Sequence, residues 1–182
     1  MVVIDATLLM LLLHPGAGVP LDESGKPVER SQDRIAHLIA SLERSRQRLV
    51  IPTPALSEVL VRVEPGAAQL IIEKISELSV FRIEPFDQRA AIEVAAMTRN
   101  SFDGGRKPAR RPDESTWAKL KYDRQIVAIA VVVGARAIYS DDKGIRAVAD
   151  RQRIPVVRLS ELELPPESAQ HSMDFEGSQP SA

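Results

Sequence analysis

The feature that most constrains this chain is the alternation of short β-branched runs with segments of helical spacing. Val2 to Ile4, Leu49 to Ile51, Val80 to Ile83, Ala137 to Tyr139 and Val156 to Val157 are runs of strand length, apolar but for Arg82. Between and around them the spacing predicts helices over Thr7 to Leu13, Gln32 to Arg46, Ala67 to Leu78, Gln88 to Arg99, Ser115 to Val133 and Gly144 to Asp150. A further helix is expected to open with Thr53 as N-cap and Pro54 at its first position, and to break at Pro65 and Gly66. Strands that alternate with helices pair in parallel and take helices on both faces. The expected fold is therefore α/β, a three-layer α/β/α sandwich around a central, mostly parallel sheet of about five strands. Only 4% of the residues are aromatic, so the core must be built from Leu, Ile, Val and Ala. Residues 1–164 read as one domain. Residues 165–182 show no apolar period and are rich in Pro, Ser, Glu and Gln, which predicts a disordered tail.

Composition excludes several chemistries. There is no cysteine, hence no disulfide, no thiolate metal site and no cysteine nucleophile. A metal would have to sit on oxygen or imidazole, and hard oxygen ligands suit magnesium or manganese. The apolar start MVVIDATLLMLLL lacks a basic leader, carries Asp5 in its middle and is too short to span a bilayer, so it reads as a buried strand entering a helix. No membrane contact is expected, and the absence of cysteine suits a cytoplasmic protein. The formal net charge of −1 gives no overall field that attracts nucleic acid, so a polyanion must be met by local basic patches.

Five acids stand out by position. Asp5 is the only charged residue between Met1 and Leu13, and burying an unpaired carboxylate costs roughly several kcal/mol. As a residue between a strand and a helix it can be a helix cap or a ligand. Asp123 lies three and four residues before Ile126 and Val127, on the apolar stripe of its helix; an ion pair with Lys119 would explain it as well as a ligand role. Asp141 and Asp142 follow a strand directly, behind Ser140, and Asp142 can cap the next helix. Glu58 lies in the second turn of the helix after the second strand. In a parallel sheet these positions all fall on the carboxyl-end side, where ligands bind near the point at which strand order reverses. Carboxylates gathered there repel one another, and a divalent cation is the common remedy. Such a site can lower the pKa of water and clamp a phosphoryl oxygen, which is the chemistry of phosphodiester hydrolysis.

The segments VVIDATLL, PALSEVL, YDRQIVAIA and YSDDKGI, in this order, resemble the PIN domain. That family carries an Asp after the first strand, a Glu early in the helix after the second, an Asp in a D-x-x-I/L-x-A helix and a T-x-D after the fourth strand. The resemblance runs from Met1 to about Leu162 and implies a metal-dependent ribonuclease with catalytic residues Asp5, Glu58, Asp123 and Asp142. One or two Mg²⁺ or Mn²⁺ ions would be held by Asp5, Asp123 and Asp142, with Glu58 a ligand directly or through water and Asp141 an alternative. Thr7 and Ser140 would support them, Ser140 standing where the family usually has Thr. Many members are VapC-type toxins, which implies a cognate antitoxin beside the RNA substrate, and a homodimer is a further expectation.

Arg106, Lys107, Arg110 and Arg111 form a basic loop, and Lys121 and Arg124 continue it toward Asp123; all six are expected to hold RNA phosphates, although a charge run is as often a solvated surface. Trp117 and Tyr122 are candidates for stacking a base. His14, His37 and His171 have no mutual metal-ligand spacing. Two rivals remain. A haloacid-dehalogenase-like phosphatase also ends a strand in Asp, but it needs a second Asp where this chain has Thr7. A catalytically inactive metal- or RNA-binding module would retain the same acids without turnover.

Overall fold

The structure is a computed structural model that describes residues 1–14, 16–64, 66–103 and 114–166. Its strands are β1 (Val2–Ile4), β2 (Leu49–Pro52), β3 (Phe81–Glu84), β4 (Ile138–Tyr139) and β5 (Val156–Val157). They form one sheet in the order β3-β2-β1-β4-β5. Every pairing is parallel, with Val2 opposite Leu49 and Val3 opposite Ile138. The sheet is thus wholly parallel, as strands joined by helical crossovers require.

The helices are α1 (Ala6–Leu13), α2 (Ser31–Arg44), α3 (Thr53–Leu60), α4 (Ala67–Glu77), α5 (Gln88–Asp103), α6 (Glu114–Val132) and α7 (Lys143–Arg151), followed by a 3₁₀ turn at Leu159–Glu161. Because successive strand residues face opposite sides of a sheet, the inner strands β1, β2 and β4 feed two cores. Val2, Ile4, Leu49 and Ile51 pack with Leu8 and Leu11 of α1, Ile35 of α2, Val59 of α3 and Ile75 of α4. Val3, Val50 and Ile138 pack with Ala90 of α5, Val127 and Ile129 of α6 and Val148 of α7. A strand buried on both faces must be apolar throughout, which is why β1 and β2 read as unbroken hydrophobic runs. The result is a three-layer α/β/α sandwich.

One expected helix start is corrected. The N-cap of α3 is Pro52, in extended backbone, and Thr53 already lies in the helix. The helix therefore begins one residue earlier than a Thr53 cap would give, directly after Pro52, which is still paired with Glu84 in the sheet. The Thr53 hydroxyl is used elsewhere: it accepts from the Phe86 amide at 3.0 Å and tethers the loop between β3 and α5. At the other end of the domain, Arg34 of α2 donates to the carbonyls of Ser160 and Leu162, tying the last turn to the body. Among the described residues no helix is long and apolar enough to cross a membrane. The tail 167–182 and the basic loop 104–113 lie outside the described residues.

Candidate active site

Strand order reverses between β1 and β4, and a cleft of about 580 Å³ opens beyond the carboxyl ends of the strands. Asp5 and Thr7 enter it from the end of β1 and the start of α1, Glu58 from α3, Asp123 from α6 and Asp142 from the start of α7. Four acids separated by as many as 137 positions in the sequence thus line one opening.

Asp5 is 2% exposed and caps α1: its Oδ1 accepts from the Leu8 amide at 2.8 Å. Its Oδ2 accepts from the hydroxyl of Ser140, which is wholly buried at the end of β4. The same Ser140 oxygen accepts from the Asp142 amide at 3.0 Å, so one hydroxyl fixes the acids after β1 and β4 relative to each other. Burial pushes the Asp5 carboxyl up to about 6 against these two hydrogen bonds, and Asp141 and Asp142 add to the rise.

Asp142 caps α7 through Oδ1, which accepts from the Gly144 amide at 2.6 Å and more distantly from that of Ile145. Its Oδ2 lies 2.8 Å from Lys119 Nζ. Burial raises this carboxyl, but Lys119 and the helix amides together outweigh it and leave Asp142 below the ordinary range. In turn the Asp142 carboxylate holds the Lys119 ammonium above its usual range. The anticipated partnership of Lys119 with Asp123 is therefore replaced by one with Asp142.

Asp123 is 7% exposed, and no hydrogen bond or ion pair reaches its carboxylate among the described residues. Burial and the charge of Asp142 push it up to about 6, with Lys119 opposing and Glu58 adding to the rise. Glu58 is half-buried and is itself raised, first by burial, with Arg62 opposing. Gly144 makes the close approach possible, because a Cβ there would overlap Asp123 Oδ2 and stand 3.0 Å from Asp142 Oδ1.

Other expected site residues fall elsewhere. Asp141 turns from the cleft: Oδ2 accepts from the Leu159 amide at 3.2 Å and Oδ1 lies 3.4 Å from Arg158 Nε. Arg124 does not line the cleft but is buried against α5, where its Nη1 donates to Thr98 Oγ1 at 3.0 Å. One residue along a helix is a rotation of roughly 100°, so Asp123 and Arg124 face different neighbours. Lys121 is exposed on α6, and Tyr122, 41% exposed, lines the cleft. Arg106, Lys107, Arg110 and Arg111 lie outside the described residues, as does the side chain of Trp117. His37 lies 4.0 Å from Glu163 at a separate cavity. Two polar lining residues, Ser57 and Arg62, escaped the sequence reading; Ser57 precedes Glu58 on α3 and Arg62 lies in the turn that follows the helix.

No protein-family model matches the chain, and no curated protein matches it in sequence. Solved structures do match in shape. One is a chain from the VapBC2 structure of Rickettsia felis, bound to a DNA fragment from the promoter, with a TM-score of 0.54 at 10% sequence identity over 87% of this chain and 98% of that one. The likeness is one of fold, and the five-stranded parallel sheet flanked by helices is consistent with a PIN-like architecture.

Proposed function

We propose that the chain is a metal-dependent endoribonuclease that hydrolyses RNA phosphodiester bonds. The observation that carries this reading is the convergence of Asp5, Glu58, Asp123 and Asp142 from four elements on one cleft at the reversal point of the sheet. Among the described residues the donor set is all hard oxygen, with no imidazole lining the cleft, and this favours Mg²⁺ or Mn²⁺. The buried, unbonded carboxylate of Asp123 fits a cation. As they stand, no three of the described acids or histidines are grouped closely enough to enclose one, and Lys119 serves as the counter-charge beside Asp142.

In this reading Asp5, Asp123 and Asp142 hold the ion and Glu58 supports it directly or through water. A divalent ion so held supplies charge for the phosphoryl oxygen and eases deprotonation of water. The chain's own groups fix the arrangement. Ser140 orients Asp5 and the Asp142 amide, the helix amides of α7 orient Asp142, and Thr7 contributes a hydroxyl at the cleft wall where a phosphatase of the rival class would need a carboxylate. Water attacks phosphorus in line with the departing oxygen, so no covalent intermediate and no nucleophilic side chain are needed. The likeness to a VapBC2 chain supports a narrower form of the proposal, a toxin restrained by a cognate antitoxin.

The test is cleavage of single-stranded RNA by purified protein. Magnesium or manganese is expected to support it and EDTA to abolish it; undiminished cleavage by repurified protein in excess EDTA would overturn the metal mechanism.

A further inference from the structure

Among the described residues two cationic side chains line the acidic cleft, Lys119 on α6 and Arg62 in the turn after α3. They differ in engagement. Lys119 is held by Asp142 at 2.8 Å. Arg62 is exposed in the turn that follows α3 and closes no ion pair among the described residues, although Glu58 stands only four residues before it. It acts on Glu58 only through space. Each cation also has an exposed neighbour facing the same opening: Val61, 85% exposed, beside Arg62, and Tyr122, 41% exposed, one helical turn from Lys119.

Resting on the ribonuclease reading, the requirement is plain. A scissile phosphate placed over four acids brings its neighbouring phosphates with it, and those need cations to either side. Lys119 is already committed to a carboxylate, whereas the guanidinium of Arg62 presents a planar fork of donors that suits phosphate oxygens. An exposed ring such as Tyr122 accepts a base face only from an unpaired strand.

We propose that Arg62 is the substrate-positioning residue of this cleft: its guanidinium grips a backbone phosphate next to the scissile one, so that a single RNA strand crosses from the α3 wall to the α6 wall with a base against Tyr122. The residue touches neither the scissile bond nor the acids. It sets where the strand lies.

Binding is measured by fluorescence anisotropy of a short, labelled single-stranded RNA in Mn²⁺ across a salt series, with the chain carrying Asp123→Asn so that the probe survives. Adding Arg62→Gln is expected to weaken binding about tenfold, as loss of a charge-assisted contact does, and to make the salt slope shallower by about 0.7, one single-strand phosphate contact. Arg62→Lys restores the slope and part of the affinity. Arg44→Gln, the same charge change at the exposed end of α2, leaves both in place. In the chain with Asp123 intact, Arg62→Gln raises KM more than it lowers kcat. An unchanged affinity and slope, or an equal loss with Arg44→Gln, overturns the assignment. No RNA binding by the Asp123→Asn chain overturns both the assignment and the ribonuclease reading. Arg62-dependent binding by a protein that cleaves no RNA with any divalent metal overturns the ribonuclease reading alone.

Discussion

Capping and site-building are not alternatives for Asp5 and Asp142, because each carboxylate divides the work between its oxygens. Oδ1 of Asp5 takes the Leu8 amide while Oδ2 faces Ser140; Oδ1 of Asp142 takes the Gly144 amide while Oδ2 faces Lys119. An ionised carboxylate has about four acceptor sites, so a cap leaves room for a further contact. Asp123 has no such partner, and its stability effect follows from that. Its carboxyl is raised to about 6 in the folded chain against an ordinary value of 3.8, so the folded state holds the proton more tightly than the unfolded state. The metal-free protein therefore loses stability from this group as pH rises from about 4 through about 6. Asp123→Asn does not titrate. In EDTA its melting temperature relative to wild type is expected to climb between pH 4 and pH 7.5 and to end equal or higher. A variant that melts progressively lower as pH rises would mark Asp123 as a structural ion-pair partner. Ser140 and Asp142 were legible as a pair only in sequence order; that one hydroxyl joins them to Asp5 depends on the β1–β4 pairing, which no local pattern encodes.

At the scale of elements, apolar periodicity located the strands well because β1, β2 and β4 are buried throughout, and it reached the edge strands β3 and β5 although these are only part-buried. It placed helix ends less well: a Thr before a Pro is a sound cap signal, yet α3 begins one residue earlier, capped by Pro52. Sequence adjacency also misled at α6, where Arg124 follows Asp123 but packs on Thr98 of α5. Gly144 had no signal beyond opening a helix. Its purpose lies in the approach of α6 to α7, where the Asp123 carboxylate occupies the space a Cβ would fill. Alanine in a helix interior is ordinarily favoured over glycine by roughly 0.5–1 kcal/mol. Gly144→Ala is nevertheless expected to lower cleavage about tenfold or more, since displacing a reacting group by an ångström can cost about that or more. Steady-state kinetics beside circular dichroism of the same sample would check it, and full activity in a folded Gly144→Ala protein would mean that the Asp123–Asp142 spacing is not critical.

Over the whole molecule, the site is a consequence of topology. With order β3-β2-β1-β4-β5 the crossovers diverge between β1 and β4, and the segments leaving these strands part to open the cleft. The sequence positions of the four acids are scattered: the ends of the predicted strands made Asp5, Glu58 and Asp142 legible together, whereas Asp123, within α6, joined them through its place on the apolar stripe and the resemblance to the PIN pattern. The net charge of −1 supplies no steering field, so on the proposed reading the cleft would depend on its own cations and a bound metal to receive RNA. The central claim is that the four acids work as one metal-dependent hydrolytic centre. Its most direct test is the cleavage rate of single-stranded RNA at saturating substrate and Mn²⁺ for wild type and Asp123→Asn from matched preparations. Loss of the ligand is expected to lower the rate by about a hundredfold or more, on the scale of several kcal/mol that metal-ion catalysis supplies. A folded Asp123→Asn protein that cleaves at the wild-type rate would contradict the account.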